Sequence, residues 1–426
     1  MPARSRLYIG QSASGLGVLF RCAVPTNAAK ISSAVVEKKS RGTPMQRAFY
    51  HARGNGNGHK KAQETQELRI PFCEFCAFLW LFPHRVYHRL ISNSEESMRR
   101  RAFLPGIILI CCAATVNAAD LSILRGQIQK VIPRVRGQVG VAIKHVESGA
   151  EVLVNADENF PMASAYKLPI LVELYYQRAA GKLSLDDRIE VQPGDLHVGS
   201  GAMSQLFDPP GVQLSIHNLI NLMMRISDNS AADLLLNKAG AASVTARMRA
   251  LGLAAIRVDR TTQEMILDQS GVDYATYGKL PLTELRERLV AVDAQSAALA
   301  NAQFNRTEKD IATPRQMNAL LEKIYRGEIV DRQTSDEIIE ILKQCQTGPA
   351  RIRGLLPEDT IVAHKTGTIG GSTNDTGMVF LPYRGDHLLI TVLTKDAKAT
   401  AAERERVIAD ISRFAYDYFV FNPSGQ

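Results

Sequence analysis

From residue 120 onward, hydrophobic and polar positions alternate between two periods. "LSILRGQIQKVI" has the 3.6-residue period of an opening helix, whereas "QVGVAIKHV" and "EVLVNADE" alternate every second residue around the turn "ESGA", as a hairpin does. A long helical stretch follows, at Ser164–Ala180, "IHNLINLMMRI", "AADLLLNKAG" and "PRQMNALLEKIY", the last opened by Thr313 as cap and Pro314 in its first turn. "LTELRERLVA" marks a further helix inside the segment 268–313. The period then returns to two in "DTIVAHKTG", "TGMVFLP" and "HLLITVLTK", before a closing amphipathic helix, "AAERERVIADISRFAYDYF". Strands at both ends with helices between them predict a mixed α+β fold. Its mostly antiparallel five-stranded sheet is built from both chain ends, with a helical part, about 162–345, inserted between them. A cleft between the two parts is the natural place for a site.

The first 118 residues change the picture. Residues 98–119, "MRRRAFLPGIILICCAATVNAA", have a methionine, three arginines, an apolar run and small residues near Ala118, the layout of a secretory signal peptide rather than a membrane span. Met98 is then the expected start, residues 1–97 an extension expected to be disordered or untranslated, and 119–426 the exported domain, periplasmic or secreted and with no stable membrane anchor. The whole chain carries a net charge of +8, but residues 1–97 hold 14 Lys or Arg against 6 acidic residues. From 119 onward 34 basic residues meet 37 acidic ones, which removes the electrostatic case for nucleic acid. Cys73 and Cys76 with His84 and His88 have a zinc-like look, but their spacing is too short for the usual finger. Cys345 is the sole cysteine after 118, so no intrachain disulfide is expected, and its sequence neighbours hold no histidine.

"SAYK" poses a chemical question. Lys167 sits in the first turn of an apolar helix, where the dipole disfavours a cation by roughly 0.3–1 kcal/mol. One reading makes Ser164 an N-cap and Lys167 a solvated charge. The other notes that residues three apart share a helix face, so the Lys167 amine lies beside the Ser164 hydroxyl; crowding and desolvation there ease loss of its proton and allow it to act as a base. Ser227-Asp228-Asn229 and Lys365-Thr366-Gly367 follow in order, the two serines 63 positions apart and Asn229 136 positions before Lys365. Taken singly these are a helix cap and a strand end; together they form the S-x-x-K, S-D-N, K-T-G set.

On these motifs, residues of roughly 120–426 resemble the class A β-lactamase family of penicillin-interacting serine enzymes. The resemblance implies that Ser164 is the nucleophile opening a β-lactam ring, that Lys167 accepts or relays its proton, and that Ser227 passes a proton to the departing nitrogen. Asn229 would hold Lys167 and the substrate amide. Lys365 would support Ser227, Thr366 and Thr368 would meet the substrate carboxylate or amide, and Gly367 completes the motif. The backbone N–H groups of Ser164 and Thr368 would form the oxyanion hole, worth roughly 3–4 kcal/mol per lost donor.

The base for the second half of the reaction is not settled by the motifs. In the family an Arg is followed by a Glu and, after three intervening residues, by an Asn. Here the matching stretch is "RTTQEMILDQSG". Aligned without a gap from Arg260, the Glu position is Thr262, which cannot act as a base; shifted by two, it is Glu264, with Asp268 in place of the Asn. A carboxylate pair there could hold a water and raise the pKa of Glu264. The family's carboxylate-binding arginine has no counterpart on "NDTGMVF", leaving Arg351 and Arg353 as candidates. The expected function is β-lactam hydrolysis by a monomer through a serine acyl-enzyme, without metal or cofactor. The alternatives are a penicillin-binding D,D-peptidase or related serine hydrolase, and a sensor or binding module that stays acylated.

Overall fold

The structure is a computed structural model that describes residues 120–207 and 211–422. The extension, the signal peptide and the Cys73, Cys76, His84 and His88 group lie outside the described residues.

Five strands form one antiparallel sheet: β1 (Gln138–His145), β2 (Glu151–Val154), β3 (Val362–Ile369), β4 (Ser372–Phe380) and β5 (His387–Lys395), in the order β2-β1-β5-β4-β3. The first two come from the N-terminal hairpin and the last three from the end of the chain, and β1 pairs with β5 along its whole length, from Gln138 opposite Lys395 to His145 opposite Leu388. Sheet closure therefore joins segments some 240 residues apart in sequence, as the period-two stretches predict.

Alternation sends Val139, Val141 and Ile143 of β1 and Leu388, Ile390 and Val392 of β5 to one face. There they pack with helix α1 (Ser122–Val131) and the last helix, Ala401–Phe421. The opposite face, with Met378 and Leu389, joins the core of the helical part. That part consists of α2 (Lys167–Ala179), α3 (Ile216–Arg225), α4 (Asn229–Ala239), α5 (Ala241–Ala250), α6 (Thr262–Ser270), α7 (Leu282–Val290), α8 (Ala294–Phe304), α9 (Pro314–Tyr325) and α10 (Arg332–Lys343), so the closing helix is α11. Four of these, α5, α6, α8 and α10, are not among the helices expected above. In α8, "AQSAALANAQF", the small residues leave a weak apolar stripe and only Ala300 and Phe304 are buried. Among the described residues no helix is long and apolar enough to cross a membrane.

Asn374 couples the two parts. Fully buried in β4, it donates from Nδ2 to the carbonyls of Pro161 and Met162, at 2.8 and 3.0 Å, and accepts at Oδ1 from the Thr394 backbone N–H of β5 at 2.9 Å. It fixes the backbone entering the serine segment to the middle of the sheet. Asn374→Ala leaves the Pro161 carbonyl and the Thr394 N–H without this partner, while the Met162 carbonyl keeps the Ala165 N–H, and is expected to destabilise the protein by on the order of 2 kcal/mol or more, read as a lower midpoint in urea unfolding.

Candidate active site

Ser164 does not cap an α-helix. It lies in a 3-10 turn, Ala163–Tyr166, that runs directly into α2, so α2 begins at Lys167. Ala163, just before the serine, and Ser227 both adopt left-handed φ values, 47° and 59°, that non-glycine residues seldom hold. Two strained residues beside two reactive hydroxyls are the pattern expected where surrounding structure dictates geometry for chemistry.

Lys167 is completely buried, which eliminates the solvated-charge reading. Its Nζ donates to the Ser227 carbonyl at 2.8 Å and to Asn229 Oδ1 at 2.9 Å, and lies 3.2 Å from Ser227 Oγ. Burial, and then the charge of Lys365, hold its pKa well below that of a free lysine, against the weaker pull of Asp233 and Asp228. A lowered pKa favours the neutral amine, whose lone pair can receive a proton. Lys365 Nζ donates to Ser227 Oγ at 3.0 Å and to its neighbour's carbonyl, Thr366 O, at 2.9 Å, and burial brings its pKa down to about 8. Ser227 Oγ thus sits between two amines of different basicity.

Strand β3 reaches the serine because residue 367 is glycine. A Cβ there would lie 2.4 Å from the Met162 carbonyl, 2.9 Å from Ala165 N and 3.1 Å from Ser164 N, all backbone atoms that cannot swing aside. The close approach puts the β3 backbone at Thr368 beside the Ser164 N–H, the juxtaposition an oxyanion hole requires. Asn229 holds Lys167 as expected; its Oδ1 also accepts from Ser200 Oγ at 3.2 Å, and its Nδ2 donates to the Val198 carbonyl at 2.9 Å.

These side chains line a cavity of about 220 Å³ that holds Ser164, Ser200, Ser227, Asn229, Thr366, Gly367 and Thr368. Arg351, one of the two candidate arginines, lines it too and is buried; its Nη2 donates to Thr368 Oγ1 at 2.6 Å and its Nη1 to the Gly367 and Asn374 carbonyls. Arg353 donates instead to the Val362 carbonyl and is not part of the lining.

The register-shifted base is corrected by the structure. Helix α6 turns Thr262, Met265 and Ile266 toward the cavity, so Glu264, about 200° around the helix from Thr262, faces away. Glu264 instead completes a capping box with Thr261, accepting the Thr261 N–H at 3.2 Å, and Asp268 pairs with Arg260 at a largely exposed position. Neither carboxylate lines the cavity, and no other Asp or Glu is among the described residues that do. Thr262, the position the gapless alignment picks out, is the one at the site; its hydroxyl donates to the Asn229 carbonyl at 3.3 Å.

Other positioning residues carry no motif. Buried Asp233 accepts the Thr262 and Gln263 N–H groups at 2.6 and 3.1 Å and lies 2.6 Å from His197 Nδ1, while Asp310 accepts from Arg260 Nε at 2.6 Å. Together they pin the start of α6 against α4. "AADLLL" offers one hint, a lone acidic residue in an otherwise apolar run. Cys345 is buried among polar groups: its Sγ lies 3.3 Å from Thr347 Oγ1, which is 2.5 Å from Thr366 Oγ1. The fold also brings it His364. Burial opposes charge on both groups, yet the Asp375 carboxylate, 2.9 Å from His364 Nδ1, pushes the imidazole up to about 10, and the imidazole in turn brings the Cys345 thiol down to about 6.

A family model described as "Beta-lactamase enzyme family" matches residues 123–419. Among similar proteins, beta-lactamase VEB-1 of Pseudomonas aeruginosa is 28% identical over 303 residues, covering 69% of this chain and 89% of that one. The carbapenem-hydrolyzing beta-lactamase KPC of Klebsiella oxytoca is 28% identical over 286 residues, 66% and 84% of the two chains. The crystal structure of a beta-lactamase from Chitinophaga pinensis superposes with a TM-score of 0.56 at 30% identity, covering 69% of this chain and 98% of that one.

The Lys365 value sets a pH limit. Below about 8 its ammonium supplies positive potential at the cavity; above about 8 it becomes neutral and that attraction is lost. Acylation of Ser164 by an anionic reagent is expected to slow as pH rises through about 8, and Lys365→Arg to shift this limb upward, both read from labelling rate against pH.

Proposed function

The chain belongs to the beta-lactamase enzyme family, with class A enzymes among its structural relatives, and on that premise we propose that it hydrolyses β-lactams through an acyl-enzyme on Ser164. The observation that carries this reading is the buried Lys167, three residues after Ser164, which donates to the Ser227 carbonyl and Asn229 and whose pKa is lowered by burial. Ser164 Oγ bonds to the ring carbonyl carbon while Lys167 takes its proton. The oxyanion is met by the Ser164 and Thr368 N–H groups. When the ring C–N bond breaks, Ser227 passes a proton to the nitrogen and recovers one from the amines on either side. Thr366, Thr368 and Arg351 receive the substrate carboxylate, which Lys365 attracts.

Deacylation then uses what the cavity contains. With its proton passed on, Lys167 is again a neutral base, and it activates the water that cleaves the ester and restores Ser164. The placement of Thr262 also favours a second reading: without a carboxylate, an enzyme of the D,D-peptidase kind, with peptidoglycan peptides as substrate, clears a penicillin adduct slowly. Residues 98–118 support export, so the mature enzyme is placed in the periplasm or outside the cell, acting as a monomer on a small-molecule substrate.

Ser164→Ala is expected to reduce penicillin hydrolysis by at least about 1000-fold and to abolish covalent labelling; retained labelling contradicts the assignment. Thr262→Glu introduces a carboxylate at the cavity and is expected to shorten the lifetime of the acyl-enzyme at least tenfold, whereas Glu264→Gln leaves it unchanged. Stopped-flow separation of acylation from deacylation reads both, and accumulation of adduct in Glu264→Gln overturns the placement of that residue.

A further inference from the structure

At the end of the sheet away from the cavity, three side chains converge without forming hydrogen bonds to one another. His145, the last residue of β1, is 1% exposed, and its ring stacks on Phe419 of α11 with centroids 4.8 Å apart and planes 8° from parallel. Its Nε2 is the ring nitrogen left over once Nδ1 meets Ser148. It points between two carboxylates, 3.5 Å from Asp386 Oδ2 and 3.7 Å from Glu147 Oε2, and one ligand atom from each of the three residues lies within 4.8 Å of the others.

The two separations from Nε2 are too long for good hydrogen bonds and close to another length, and the carboxylate oxygens, within 4.8 Å, draw together on binding. A tetrahedral zinc ion with bonds of about 2.0–2.2 Å to nitrogen and oxygen holds its ligand atoms about 3.3–3.6 Å apart. Outer contacts also fit. His145 Nδ1 lies 2.8 Å from Ser148 Oγ, which accepts its proton in the tautomer that leaves Nε2 free to bind metal. The competing arrangement, in which the Ser148 N–H donates to Nδ1 at 3.2 Å, is given up on binding. Glu147 is oriented in turn: its Oε2 accepts the His387 N–H at 2.9 Å, and its Oε1 lies 2.9 Å from His387 Nδ1 and accepts from Tyr325 at 3.2 Å.

The geometry points to a divalent metal site, of the kind zinc fills, formed by His145 Nε2, Glu147 Oε2 and Asp386 Oδ2 with a water as fourth ligand. One imidazole and two carboxylates form a mixed nitrogen and oxygen set that zinc accepts, two negative charges offset that of the ion, and Asp386 and Glu147 leave a solvent route. The ion joins the β1–β2 turn to the β4–β5 turn beneath the end of α11. Cavity threonines 366 and 368 sit on β3, at the other edge and toward the other end of the sheet, so the site stabilises the fold and takes no part in the serine chemistry.

Calorimetric titration of Zn²⁺ into the chelator-treated protein is expected to show one saturable site per chain. Asp386→Asn and Glu147→Gln each weaken it more than about tenfold while circular dichroism and β-lactam hydrolysis stay at wild-type values. Zn²⁺ also raises the unfolding temperature of the wild type and not of Asp386→Asn. Absence of saturable binding below about 100 μM, or equal affinity in wild type and both variants, overturns the assignment.

Discussion

A lysine amine enclosed in protein is the constraint on which the rest of the site depends. Water no longer solvates Lys167, and Lys365 adds a second cation close by, so its neutral form is favoured. Two acceptors, the Ser227 carbonyl and Asn229 Oδ1, then fix where its hydrogens point. A misplaced acceptor would leave a buried donor unpaired, which costs about 1–3 kcal/mol. Stability and chemistry therefore impose the same geometry on the turn 227–229.

Holding that turn requires both halves of the fold. Asp228 caps α4 through the Ala231 N–H and also accepts the Ala202 and Met203 N–H groups, tying the loop before α3 to the motif. Asp233, one turn further along α4, fixes the start of α6. From the sheet side, Asn374 anchors the segment entering Ser164, and Gly367 lets β3 approach it. Each anchor is buried and polar, and each is satisfied by backbone groups of another element.

Sheet topology and the S-x-x-K, S-D-N and K-T-G groups are legible in the sequence because period-two alternation and ordered motifs survive without coordinates. Helix α8 is not, since burial of two residues leaves no stripe to read. The choice between Thr262 and Glu264 turns on which side of a short helix faces the cavity. Spacing of carboxylates along α6 says nothing of that; the capping box at Thr261 and the grip of Asp233 decide it. Arg351 is likewise placed by contacts with Thr368 and Gly367 that join residues 16 and 17 positions apart. Cys345 meets His364 only through the packing of α10 and its exit against β3, so its ionised surroundings leave no trace in "KQCQTG".

Turnover by this enzyme requires that Ser164 carry an acyl group and that Lys167, with no carboxylate lining the cavity among the described residues, suffice to remove it. Intact-mass spectrometry of the wild-type protein mixed with excess penicillin, sampled over time alongside the remaining drug, tests this most directly. The expected result is an adduct of one penicillin mass that rises, persists while drug is consumed, and disappears when the drug is exhausted. An adduct that forms once and never clears contradicts the role given to Lys167 in deacylation, and the absence of both adduct and drug loss contradicts the reading of Ser164 as the nucleophile.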